Sequence, residues 1–161
     1  MRGKILFVCT GNFCRSPMAE AILKDLLRQD GKDKLYQVRS AGTWTRDGLT
    51  ASPLALRAMN ELGLDISIHR SRHLTCQDIE GASLIIVMTQ DHREALGAEF
   101  PQAREKLHLL SEMAGKSHDI DDPSGSHSTA LHRMCAQEIK ELLEAGYSRV
   151  LQLAAGVTAE T

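Results

Sequence analysis

The chain has 161 residues, 42% of them hydrophobic and 25% charged, with a net charge of −2. That length suits one domain with a single sizeable core, and the charge balance, with no basic stripe interleaved with aromatics, argues against nucleic acid or an anionic membrane as a partner. The longest apolar stretch, residues 84–88, is too short to span a bilayer, and the basic start MRGKILFVC meets a glycine-polar loop instead of a secretory core, so a cytoplasmic protein with its four cysteines reduced is expected.

Residues 3–8 (GKILFV) fit a buried parallel strand. The run VCTGNFCRSP then places Cys9 and Arg15 six positions apart, and Pro17 suits a first helical position, where its missing N–H would be unpaired anyway. Ala19, Ile22, Leu23, Leu26 and Leu27 share a helical face that ends near Asp30-Gly31. Residues 35–40 alternate like a second strand. Residues 42–52 read as a loop carrying the only tryptophan, Trp44, and Ser52-Pro53 opens a helix that stops at Gly63. A short helix at 75–79, a strand at 83–88, another short helix at 91–96 and a strand at 106–110 follow. Residues 118–126, HDIDDPSGS, have turn chemistry throughout. The last helix is predicted over 129–145 with Gly146 near its end, and residues 157–161 are expected to fray. The alternation implies one α/β domain over residues 1–156, a four-stranded parallel sheet flanked by helices on both faces. Such sheets bind ligands at the carboxyl ends of their strands, which is where the Cys9 loop falls.

Gly11 and Asn12 both tolerate left-handed backbone, so the loop can turn its N–H groups inward as an anion nest. The following helix adds its N-terminal amides, and Arg15 a planar fork for two phosphoryl oxygens. That field favours the thiolate form of Cys9, and Ser16 can donate a further hydrogen bond to the sulfur. The parts suit in-line attack on phosphorus through a phosphocysteine, with a loop carboxylic acid protonating the leaving group. A core thiol at a strand end is the plain alternative for Cys9. Neither the Cys9–Cys14 spacing nor the spread of His118, His127 and His132 matches a metal site, and no metal or cofactor is expected.

VCTGNFCRSPMAE resembles the signature of the low-molecular-weight protein tyrosine phosphatases. The match continues through SAGT (40–43), ISIHRSR (66–72), LIIVMT (84–89) and the Asp-Pro of DDPSG. The resemblance implies a cytoplasmic, metal-free phosphomonoester hydrolase that acts on phosphorylated protein and binds phosphate and similar oxyanions. It makes Cys9 the nucleophile, Arg15 the phosphate-binding arginine and Asp122 the general acid, preferred over Asp119 and Asp121 because it alone precedes a proline. Thr10, Gly11, Asn12, Phe13, Cys14 and Ser16 become the phosphate loop, Trp44 an aromatic wall at its mouth, and Asn12, Ser40 and His69 a polar network holding the loop in shape. For Cys14 it implies a reversible disulfide with Cys9; a small packed residue is the other reading, and Cys76 and Cys135 are expected to pack in the core. Phe13 stands where many tyrosine phosphatases carry an aliphatic residue and phosphoarginine-specific relatives a small polar one. Ser124 stands where the family usually has an aromatic, and the loop 42–48 is slightly short, as in the arginine branch. Phosphotyrosine is the favoured substrate, since Phe13 supplies an aromatic contact and crowds a guanidinium. Phosphoarginine hydrolysis, thiol-dependent arsenate reduction and a non-catalytic phospho-residue binding module are the alternatives.

Overall fold

Alternation along the first strand sorts its side chains between two cores. In the computed structural model, which describes residues 1–156, β1 (Gly3–Cys9) turns Ile5, Phe7 and Cys9 to one face and Leu6 and Val8 to the other. β3 (Leu84–Val87) divides the same way, Leu84 and Ile86 against Ile85 and Val87. Strands buried on both faces read as continuous apolar runs, as these do. β2 (Tyr36–Gly42) and β4 (Leu107–Leu109) complete a sheet of order β2-β1-β3-β4 in which all neighbours are parallel. The expected fraying of residues 157–161 lies outside the described residues.

Helices α1 (Arg15–Gln29) and α2 (Pro53–Glu61) cover the Phe7 face. α3 (Cys76–Gly81) and α4 (Gln90–Glu99) cover the Val8 face. α5 (Leu110–Met113) and α6 (Thr129–Ala154) return to the Phe7 side. Ser52 caps α2 by accepting the Ala55 N–H at 3.1 Å, and Thr75 with Asp78 closes a capping box on α3. From β1 the chain passes to β2 on one side and later to β3 on the other. The crevice at the carboxyl end of β1 is therefore a topological switch point, and Cys9 is the last residue of that strand.

Several expected boundaries shift. α1 starts at Arg15, two residues before Pro17, so the arginine sits on the first turn of the helix. α4 extends to Glu99, beyond the predicted 91–96. α6 does not stop near Gly146 but runs on to Ala154. Gly146 is there for space: a Cβ would come 2.6 Å from the backbone of Met113, where α5 lies against α6. Cys76 opens α3 and is exposed, contrary to the expected packing role, whereas Cys135 is buried. No described helix is long and apolar enough to cross a membrane.

Candidate active site

The loop after β1 is shaped by one left-handed residue. Asn12 has φ 56°, the only positive φ among the described non-glycine residues, a conformation asparagine tolerates. Gly11, expected to share that role, does not take it; its missing side chain instead leaves room for the Phe13 ring, which a Cβ would overlap. Asn12 is fully buried, and its side-chain amide and its carbonyl are all hydrogen-bonded. Nδ2 donates to Ser16 Oγ and Ser40 Oγ, both at 2.9 Å, and Oδ1 accepts the Arg72 N–H at 2.9 Å. Its carbonyl accepts from His69 Nε2 at 2.7 Å, which fixes the protonated nitrogen of that ring. Ser40 Oγ in turn donates a hydrogen bond to Glu20 Oε1 at 2.7 Å. The three residues expected to brace the loop, Asn12, Ser40 and His69, thus meet, joined by Glu20 and the Arg72 backbone. Substituting Asn12 by alanine removes these bonds and puts a poorer residue in the left-handed region. A loss of about 3 kcal/mol in stability is expected, read from urea unfolding.

Cys9 is 2% exposed, and its Sγ lies 2.9 Å from Ser16 Oγ. Because that oxygen already accepts from Asn12, the Ser16 proton is free to point at the sulfur. Cys14 precedes α1, and its side chain is buried rather than open to a ligand. Burial, with the neighbouring Cys135, Asp122 and Cys9, pushes its thiol far above the ordinary range. Burial likewise pushes Cys135 up to about 12. Both are protonated thiols near neutral pH.

Arg15 is 4% exposed. Its guanidinium donates to the Ile120 carbonyl at 2.8 Å and lies 3.5 Å from the Asp122 carboxylate. Ile120 in turn donates its N–H to the Met88 carbonyl at 2.8 Å, tying the acidic loop to the chain just past β3. Partial burial raises the Asp122 carboxyl, but hydrogen bonds from Ser124, aided by Arg15 and His92, hold it below the usual carboxylate range. The rival carboxylates do other work or none at Arg15. Asp119 accepts the Gln90 N–H at 2.8 Å, and Asp121 offers its backbone carbonyl to Cys135 Sγ at 3.9 Å.

Sequence reasoning missed His92, on the first turn of α4, which no motif marks. Its Nε2 is hydrogen-bonded to the Thr10 hydroxyl at 2.9 Å, and its Nδ1 is buried without a partner among the described residues. Burial and the Arg15 charge lower its pKa, so the ring is neutral at neutral pH. Trp44 donates its backbone N–H to the Thr10 carbonyl at 3.0 Å and leaves its indole 84% exposed. Gly42 allows this approach, since a Cβ there would come 2.7 Å from the Thr10 oxygen. Among the described residues no cluster of His, Cys, Asp and Glu side chains is arranged to hold a metal. The arrangement can hold a tetrahedral oxyanion between the loop amides and a guanidinium, with a thiol beneath it and a carboxyl beside it.

A family model described as low molecular weight phosphotyrosine protein phosphatase matches residues 4–154. A protein-arginine-phosphatase of Bacillus subtilis is 38% identical over 140 residues, 86% of this chain and 91% of that one. A probable low molecular weight protein-tyrosine-phosphatase of Ralstonia solanacearum is 40% identical over 119 residues, 74% of this chain and 77% of that one. The crystal structure of a low molecular weight protein tyrosine phosphatase from T. tengcongensis superposes with a TM-score of 0.85 at 34% identity, covering 91% of this chain and 99% of that one. With a cysteine and an arginine cradled in the loop after β1, on a fold shared along nearly its whole length, the chain belongs to the low molecular weight phosphotyrosine protein phosphatase family.

Proposed function

We propose that the protein is a protein tyrosine phosphatase working through a phosphocysteine. The Cys9 thiolate attacks phosphorus in line; the S–P bond forms as the P–O bond to the tyrosine oxygen breaks. The loop amides and the Arg15 fork hold the equatorial oxygens, and the Ser16 hydroxyl, 2.9 Å from the sulfur, stabilises the thiolate before attack and as it leaves. Asp122 gives its proton to the departing phenolate oxygen. In the second step the same carboxylate takes a proton from water, which attacks phosphorus and returns Cys9 as thiolate and free phosphate.

The choice of tyrosine rests on two aromatics at the loop after β1, one of them, Phe13, partly packed against the core. Phe13 packs its ring over Gly11 in the loop itself, and Trp44 is anchored by its backbone to Thr10 with its indole 84% exposed. Flat apolar faces suit a phenyl ring and offer a guanidinium no acceptor, although an arginine fork can stack on them. The acidic run 119–122 favours a second reading, since its carboxylates could pair with a phosphoarginine guanidinium, and the Bacillus subtilis relative is named for that activity.

Matched peptides carrying phosphotyrosine or phosphoarginine separate the two. Phosphotyrosine is expected to have the higher kcat/KM, and Phe13→Thr to erode that preference by about tenfold, the order of one lost aromatic contact. A wild-type preference for phosphoarginine would reverse the assignment. Phosphopeptide binding with no turnover above a Cys9→Ser background would instead make the protein a binding module.

A further inference from the structure

A cavity of about 420 Å³ lies apart from Cys9, which is not among its lining residues. It lies along α1 from Pro17 to Arg28, between that helix, Arg39 and Ser40 of β2, and residues 64–72. Its walls carry five permanent cations, Lys24, Arg28, Arg39, Arg70 and Arg72, against two carboxylates, Glu20 and Asp65. With Asp25 and Asp78, which pair with Arg28 and Arg72 from just outside the wall, the local excess is one positive charge. Lys24, Arg28 and Arg72 have carboxylate partners in Glu20, Asp25 and Asp78. Arg39 and Arg70 have none among the described residues; Arg70 bonds only to the Ser67 and His69 carbonyls, at 3.1 and 2.8 Å. Two exposed guanidiniums without counter-charge, on the rim of a cavity of ligand-binding size, make a receptor for phosphate groups.

The wall of this cavity is also the support of the phosphate loop. Lys24 Nζ donates to Glu20 Oε2 at 2.7 Å, and Ser40 Oγ donates to the other oxygen of the same carboxylate at 2.7 Å. Asn12 Nδ2 then bridges Ser40 and Ser16 at 2.9 Å each, and Ser16 meets the sulfur at 2.9 Å. A chain of hydrogen bonds thus joins a cation on the cavity wall to the nucleophile, and His69, also on the wall, holds the Asn12 carbonyl.

We infer that this basic cavity is a second anion site, for a compact polyanion bearing two or more phosphate groups, and that its occupation inhibits the enzyme. The sign follows from charge. A polyanion here cancels the positive potential behind the loop and competes with Glu20 for Lys24, so it opposes the second anion that must bind above Cys9. The linkage is reciprocal: an oxyanion on the loop weakens the polyanion by the same factor.

The test uses the whole enzyme, an aryl phosphate substrate, and inorganic tripolyphosphate as the probe. As tripolyphosphate rises, kcat/KM is expected to fall about fivefold and then level off at a finite rate, the mark of a second site. Arg39→Ala and Arg70→Ala, both at exposed positions, should each weaken this effect about tenfold while leaving kcat/KM without probe unchanged. Methylphosphonate, a single-anion control, should inhibit competitively and equally in all three proteins. Calorimetric titration of tripolyphosphate into the Cys9→Ser protein, with and without the two arginines, reads binding without turnover. An organic bisphosphate run in parallel shows whether the cavity accepts a carbon framework between the phosphates. Inhibition that goes to zero rate, stays competitive and survives both arginine substitutions would place the probe on the phosphate loop alone and overturn the inference. So would binding of a doubly phosphorylated peptide with none of tripolyphosphate, which would make the cavity a substrate-docking groove.

Discussion

Replacing Cys9 by serine is expected to lower phosphomonoester turnover at least about 10⁴-fold while phosphate binding stays close to that of the wild type. Binding survives because the substitution leaves the rest of the cradle in place. Asn12 still braces the loop through Ser16 and Ser40, and Arg15 is still held by the Ile120 carbonyl. Chemistry fails because a serine hydroxyl must lose its proton before it can attack, and the side chain beside that position is another hydroxyl, Ser16. His92 on α4 is bonded to the Thr10 hydroxyl and not to this position. Steady-state kinetics and calorimetry with inorganic phosphate check the two halves separately. A variant retaining a hundredth or more of the activity would point to a nucleophile other than Cys9.

Asp122→Ala should divide substrates by their leaving groups. Phosphotyrosine peptides, whose phenolate needs a proton as it departs, are expected to slow by about 10²–10⁴-fold, whereas strongly activated aryl phosphates should change little. The pH dependence carries a second signature. In the free protein the Asp122 carboxyl lies below its usual range, since hydrogen bonds from Ser124 and the Arg15 and His92 neighbours outweigh burial. A phosphate dianion between Arg15 and Asp122 reverses that balance: it engages the guanidinium 3.5 Å away and brings negative charge against the carboxylate. The protonated form is then favoured, so the pKa rises on binding. Between the low free value and the higher bound value, sulfate, an oxyanion that is already a dianion there, should therefore bind with uptake of a proton. Calorimetry in two buffers of different ionisation enthalpy measures that uptake, and Asp122→Asn should abolish it. Correspondingly, wild-type kcat/KM toward phosphotyrosine should fall as pH rises through this window, and the variant should lose that limb.

The strands were legible because burial on both sheet faces forces continuous apolar runs such as ILFV and LIIV, and no other element of this length has that composition. The meeting of the loop residues after β1 was legible because they fall within eight positions: Cys9 and Asn12 both contact Ser16, one residue past Arg15. Gly146 misled for a physical reason. Glycine after a helical run ordinarily signals a left-handed stop, but here the same missing Cβ serves the packing of α5 on α6. His92 and Glu20 were not legible as site residues. One reaches Thr10 across 82 positions and the other reaches Ser40 across 20, and a lone histidine or glutamate on a helix face carries no local mark of such a bond. The basic cavity escaped for the same reason, since its cations come from three separate segments with no charge run in any of them. Cys76 was misplaced because a cysteine's apolar character says nothing about whether its helix end faces water.

The all-parallel pairing has a consequence for the protein during its own synthesis. β1 leaves the ribosome first, yet its partners begin only at Tyr36 and Leu84. The carbonyl that anchors Arg15 comes from Ile120, 105 residues further on. A nascent chain that has made Cys9 and Arg15 therefore carries an exposed thiol and an unpaired central strand, but no phosphate site, until most of the polypeptide has emerged. The proposed phosphate site is thus completed late, by the finished sheet, and an oxyanion that binds it would favour the completed fold over partly synthesised forms.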